Sequence, residues 1–198
     1  MANHGSREAV QRMDDAFVRR MVSIRTGWLT VVAKFFNVLG LVYVTLPVRL
    51  AIAGFLALRR RWWHFAAFVS AIVLSEVSIG ALKSLYDRAR PAGSLVHTSG
   101  GSFPSGHAVA ASVTAVAAVI ALFPEGKGRY VWGAVAVAFS LVMGLSRAYL
   151  LAHWLSDAVA GVLLGTSLAL TTALVVHAMW QRTRARAGDQ AWESRAHP

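Results

Sequence analysis

The chain has 198 residues, 56% of them hydrophobic and only 15% charged. A soluble domain of this size is closer to a quarter charged, so the composition argues for a membrane protein. The absence of cysteine excludes disulfides and thiolate metal sites. A formal net charge of +11 points to an anionic surface or substrate. Nucleic acid is the weakest candidate partner, because the arginines are set between long apolar runs.

Taken in chain order, Met13, Phe17, Met21, Ile24 and Trp28 recur at helical spacing, while Arg12, Asp14, Asp15, Arg19 and Arg25 lie elsewhere on the same helix. The pattern predicts an amphipathic helix over residues 1–28, lying in the membrane interface. Met1 to Gly27 has no clean apolar core and no small-residue cleavage site, so it does not read as a secretory signal. A membrane-crossing helix needs about 20 apolar residues. The window Trp28–Leu58 holds one span with excess but not two. Lys34, Pro47 and Arg49 blur its edges, and the span is placed near 39–58. Further spans are expected near 62–82, 105–123, 131–150 and 156–180. Trp62, Trp63, Trp132, Trp154 and Trp180 fall at their ends, where an interfacial aromatic belt places them. Residues 182–198 read as a basic, unstructured tail behind one membrane-embedded unit, 1–181. The expected fold is all-α: a polytopic transmembrane helix bundle of about five spans plus the N-terminal interfacial helix.

Alternating spans put the loops 83–103 and 146–155 on one face. The opposite face carries Arg59, Arg60, Arg61, Lys127, Arg129, Arg182, Arg184 and Arg186. Positive residues in short loops favour the cytoplasm, so the two loops are expected on the extracytoplasmic side. With five spans the basic N-terminal helix conflicts with that rule. A sixth crossing, or a re-entrant segment near Trp28–Phe36, would remove the conflict.

Three residue groups occupy those loops and the adjacent helix starts. The first is Lys83 and, after six residues, Arg90-Pro91. The second is Pro104-Ser105-Gly106-His107. The third is Ser146-Arg147, then His153 after five residues and Asp157 after three more. Lys83, Arg90 and Arg147 are cations at membrane boundaries, costly unless paired or hydrated. An arginine forks onto phosphate oxygens, whereas a lysine acts as a point charge. Lys83 or Arg90 alone would read as a side chain snorkelling to headgroups, and Arg88, without a motif partner, is left with that reading. Pro104 suits a first helical turn. Ser105 adds a hydroxyl, Gly106 an open backbone and the helix start a set of free N–H groups, which together suit an anion. His107 follows within reach of the same anion. His153 and Asp157 are four apart, so on one helix they share a face. A carboxylate on one imidazole nitrogen would free the other nitrogen's lone pair for attack. Each group alone has a plain structural explanation; together they share one face and one charge logic.

These eleven positions resemble the three-part signature of the type 2 phosphatidic acid phosphatase superfamily, with matching order and spacing. That superfamily includes lipid phosphate phosphatases, undecaprenyl diphosphate phosphatases and vanadium haloperoxidases. The resemblance implies that His153 attacks phosphorus to form a phosphohistidine. It also implies that Asp157 orients His153, and that His107 protonates the leaving oxygen. Lys83, Arg90, Ser105, Gly106 and Arg147 would hold the phosphoryl oxygens. No metal or other cofactor is implied. The expected partners are a lipid phosphate substrate and the membrane lipids.

The expected activity is hydrolysis of a polyprenyl diphosphate of the undecaprenyl type. Phosphatidic acid and phosphatidylglycerophosphate are the close alternatives. A vanadate-dependent oxidoreductase and a non-enzymatic lipid-phosphate binder are the readings outside that class. Outside the motifs, Glu76 lies within a span and is functional, paired with Arg49 or protonated. Asp87 is expected to pair with a nearby arginine. His64 and His177 are expected at the interface, and His97 in solvent.

Overall fold

The computed structural model describes the backbone of residues 2–196 and the side chains of residues 5–186. It contains α1 (Ala2–Ser23), α2 (Gly27–Leu39), α3 (Val42–Leu58), α4 (Trp62–Tyr86), α5 (Gly106–Leu122), α6 (Lys127–Tyr149) and α7 (Leu155–Ala196). No strand occurs among the described residues. The chain is therefore all-helical. Helices α4, α6 and α7 are each long and apolar enough to cross a membrane.

The window 28–58 forms two helices rather than one. With 13 residues, α2 is too short to cross by itself. It meets α3 at a bend of 50°. Counted as one broken span, the pair gives a fourth crossing. At 17 residues, α5 is shorter than the clear spans, and its rise is about 26 Å at 1.5 Å per residue. It occupies the centre of the bundle, in contact with α3, α4, α6 and α7.

Small side chains explain that central place. Ala108, Val109, Ala110, Ala111, Ser112 and Val113 are all buried. On α7, Gly161 and Gly165 let the two backbones approach. A Cβ at Gly165 would lie 2.5 Å from the Val109 carbonyl oxygen, and one at Gly161 would lie 2.9 Å from that of Ser105. Small residues four apart are how membrane helices pack closely without a water-driven hydrophobic force. Away from the site end, Leu56, Phe68, Val113 and Val116 join α3, α4 and α5 in an apolar core.

Two ends differ from the sequence expectation. The N-terminal helix stops at Ser23, and Trp28 belongs to α2. Asp14, expected on the polar side of an interfacial helix, is fully buried. It faces Arg88 and the start of α7, so α1 docks onto the bundle through a carboxylate. At the other terminus, α7 continues through 182–186, where an unstructured tail was expected. Arg182, Arg184 and Arg186 are good helix formers, and extending a helix costs far less than starting one. The side chains beyond Arg186 lie outside the described residues.

Candidate active site

The structure brings all the motif residues to one end of the bundle. Lys83 sits in the last turn of α4 and Arg147 in the last turn of α6. Ser105 is the N-cap of α5, and Gly106 is that helix's first residue. Pro104 therefore precedes the cap rather than entering the first turn, and the Phe103–Pro104 peptide is cis. The Ser105 N–H donates to the Asp157 carbonyl at 3.1 Å, which ties the start of α5 to the start of α7.

His153 is 3% exposed and lies just before α7 begins. The expected His153–Asp157 hydrogen bond is replaced by another. The Nδ1 atom of His153 is 2.7 Å from the Ser102 carbonyl but 3.7 Å from Asp157 Oδ2. A carbonyl only accepts, so Nδ1 carries the proton and Nε2 keeps its lone pair. The spacing argument required both residues on one helix, and His153 is outside it. Asp157 occupies the third position of α7 and accepts the Trp154 N–H at 3.0 Å, reaching back as an N-terminal carboxylate does in a capping box. Its carboxylate also accepts from Ser102 Oγ and, at 2.7 Å, from Arg88 Nη1. Asp157 thus fixes Ser102, and Ser102 fixes His153.

Arg90 crosses the site. Its guanidinium donates to the carbonyls of Ser99, Gly100, Gly101 and Ala152, and Nη1 lies 3.1 Å from His153 Nε2. Lys83 Nζ donates to the Gly101 carbonyl at 2.6 Å. Arg147 is 3% exposed and donates from Nη1 to the Asn37 side-chain oxygen. The Asn37 backbone carbonyl faces the His107 ring. Gly40 lies against that same ring, so tightly that a Cβ there would collide with it. Burial pushes the His153 imidazole down to about 4; the nearby Asp157 carboxylate opposes the shift, and Arg147 and Arg90 reinforce it. Burial also lowers the Arg90 guanidinium, against the pull of Asp157.

Among the described residues, six buried side-chain nitrogen or oxygen atoms have no hydrogen-bond partner. Three of them belong here: Ser105 Oγ, His107 Nε2 and Arg147 Nε. Buried polar atoms are rarely left so, and a cluster of them beside cations has the capacity to receive an anion's oxygens.

Several contributors were not picked out in the sequence. Arg88, expected to snorkel, bridges Asp14 and Asp157 at 2.7 Å each. Ser102, Asn37 and Gly40 lie outside the motif positions. Of the other residues considered, Glu76 pairs with Arg49 at 2.7 Å. Asp87 is exposed and makes no ion pair among the described residues; it ends α4 in a left-handed conformation. His64, His97 and His177 are exposed. A cavity of about 480 Å³ between α3, α4 and the start of α5 has mainly apolar walls that include Leu46, Phe68, Ile72 and Ile79, with the Arg49–Glu76 pair also lining it. It extends to Gly40 and Gly106, beside the candidate site.

A helical membrane bundle with a buried imidazole among cations and free helix-start donors fits one class, the membrane phosphohydrolases. The PAP2 superfamily profile matches residues 64–184, and the chain belongs to that superfamily. It is 31% identical over 164 residues to phosphatidylglycerophosphatase B of Bacillus subtilis strain 168, covering 79% of this chain and 80% of that protein. It is also similar to the crystal structure described as the first transmembrane PAP2 type phosphatidylglycerolphosphate phosphatase from Bacillus subtilis. There the TM-score is 0.74 at 28% identity, over 88% of this chain and 87% of the other. The crystal structure of Aquifex aeolicus LpxE gives a TM-score of 0.64 at 25% identity, over 78% and 91% of the two chains. The chain is an integral membrane lipid phosphatase.

Proposed function

We propose that this lipid phosphatase removes the terminal phosphate of phosphatidylglycerophosphate through a phosphohistidine on His153, without a metal. The polyprenyl diphosphate expected from the sequence gives way to this alternative, because two of the three matches named above are phosphatidylglycerophosphate phosphatases. The observation that carries the lipid reading is the apolar cavity that reaches Gly106. A phosphate held at the start of α5 leaves its acyl chains a path between α3 and α4.

In the proposed reaction the phosphoryl oxygens take the free donors of Ser105, Gly106 and Arg147, with Lys83 and Arg90 adding charge. Arg90 then exchanges its contact with His153 Nε2 for phosphate oxygen. The freed lone pair forms the N–P bond while the P–O bond to the lipid breaks, and His107, protonated once the bound phosphate dianion offsets the cations around it, gives the leaving alkoxide its proton. Water then attacks phosphorus, the N–P bond breaks, and His107 takes up the water's proton. Three cations supply the charge neutralisation that a metal supplies in other phosphoryl transfers.

The deciding measurement is phosphate release by purified protein in detergent with EDTA. The substrates compared are phosphatidylglycerophosphate, phosphatidic acid and undecaprenyl diphosphate. The first should turn over with the highest kcat/KM, and His153→Ala should drop to background. A preference for undecaprenyl diphosphate would reverse the substrate reading. Activity lost in EDTA, or kept in His153→Ala, would overturn the mechanism.

We also propose that the site opens on the extracytoplasmic side. The support is the basic cluster at the opposite end, Arg59 to Arg61, Lys127 and Arg129; the arginines of α1, on the site side, count against it. A fluorescent protein fused after Pro198 folds only in the cytoplasm. Fluorescence is expected, and a dark but full-length fusion would invert the topology.

A further inference from the structure

Asp14 lies outside the region matched by the family profile, residues 64–184, yet it is fully buried beside the candidate site. Its Oδ2 accepts from Arg88 Nη2 at 2.7 Å and from Ser156 Oγ at 2.6 Å. Its Oδ1 accepts the Ser156 backbone N–H at 2.8 Å. That N–H is one of the donors a helix leaves open in its first turn. Asp14 therefore closes the first turn of α7, the turn from which Asp157 projects. Arg88 passes the contact on to Asp157, Asp157 to the Ser102 hydroxyl, and the Ser102 carbonyl to His153 Nδ1.

We infer that Asp14 is a positioning residue for the nucleophile, acting through Arg88, Asp157 and Ser102. The charge balance explains why a second carboxylate is needed. Arg88 alone would neutralise Asp157. Shared between two carboxylates, it leaves the group with one net negative charge near His153, the residue that turns cationic when phosphorylated. The fork of the guanidinium matters too, because one planar group reaches both carboxylates at once. A buried charge cluster of this kind adds little net stability against an apolar replacement. Its value lies in holding one geometry. On this reading the N-terminal helix completes the catalytic end instead of only resting in the interface.

The inference rests on the phosphohistidine reading, and the wild-type enzyme separates the two. A wild type without phosphatase turnover would sink that reading, whereas the variants below test only the relay. Asp14→Asn keeps the shape of the side chain and removes its charge. In steady-state assays of monodisperse protein, kcat should fall about tenfold, the scale of a coupling between contacting groups. KM for the lipid should stay within about twofold, because no phosphate contact is lost. Combined with Ser102→Ala, the double variant should be no slower than the slower single variant. An unchanged kcat, a rise in KM in place of the fall, or losses that multiply in the double variant would each overturn the relay. If Asp14→Asn does not yield folded protein, Arg88→Lys carries the same test. An ammonium cannot fork to both carboxylates, so a loss confined to kcat is expected, and an unchanged kcat refutes the proposal.

Discussion

Arg147, at the site end, is 3% exposed and tied to Asn37, whereas Arg60, at the opposite end, is exposed and makes no side-chain hydrogen bond among the described residues. The contrast extends to their neighbours. Arg88 and Arg90 are held by carboxylates and by backbone carbonyls from several segments. Arg59 and Arg184 lie over the rings of Phe55 and Trp180, and Arg129 reaches Glu125 within its own turn at 3.4 Å and the Ile120 carbonyl at 3.1 Å. The same residue type thus serves two purposes. At one end arginines are fixed and desolvated, so that their charge acts strongly on a bound anion. At the other, Arg59 and Arg60 remain exposed and act through the membrane's surface field. Burial and fixed partners, more than the presence of cations, mark the candidate site.

That comparison can be broken in four ways. The largest effect is expected from Arg147→Gln, which removes a buried charge from the site. A fall in kcat/KM of about 100- to 1,000-fold is expected, measured as phosphate release from the lipid. A fall below tenfold would place the oxyanion donors elsewhere.

Next comes the pH profile. Burial depresses the His153 imidazole to about 4, so the neutral nucleophile persists as pH falls through the usual histidine range. The acid limb of kcat/KM, which reports the free enzyme, should lie near 4, with about a tenfold loss per unit below it. A limb near 6.5 that is not accounted for by the substrate phosphate's own ionisation at about 6 would mean that His153 is hydrated.

The third effect is structural. Gly165→Leu must push α7 away from the Val109 carbonyl on α5. Overpacking of this kind costs about 1–3 kcal/mol, and a lower unfolding temperature in detergent is expected together with lost activity. Wild-type stability in this variant would show that the two backbones are not in contact.

The smallest change is expected at the far end. The double substitution Arg60→Ala and Arg61→Ala should leave kcat/KM within about twofold, as surface changes away from special features usually do. A large loss there would erase the distinction between the two ends.

Most of the candidate site was legible because the motif residues are close in sequence and their chemistry is specific. Lys83, Arg90, Ser105, His107, Arg147, His153 and Asp157 could be grouped by charge and spacing alone. What could not be read was the contact between distant segments. Asp14 and Arg88 are 74 positions apart, and nothing in the local pattern of either reports the other. Asn37 meets Arg147 across 110 positions. The His153–Asp157 spacing was visible but misled in detail, because the helix starts two residues after His153. The helical fold followed from apolar run length. The break between α2 and α3 carried a weaker signal, a glycine at residue 40 inside an apolar window. The Gly161–Gly165 pair has the spacing of a membrane-helix packing motif.

That glycine pair has a consequence for how such a chain can diversify. It joins α5 and α7 backbone to backbone, and the joined helices carry the proposed phosphate cradle at one start and Asp157 at the other. The apolar cavity is walled chiefly by α3 and α4. On the proposed mechanism, reaction and recognition therefore sit on separate parts of the bundle. Side chains facing the cavity, such as Leu46 and Ile72, can be exchanged to suit another lipid tail without moving the helices that perform the chemistry.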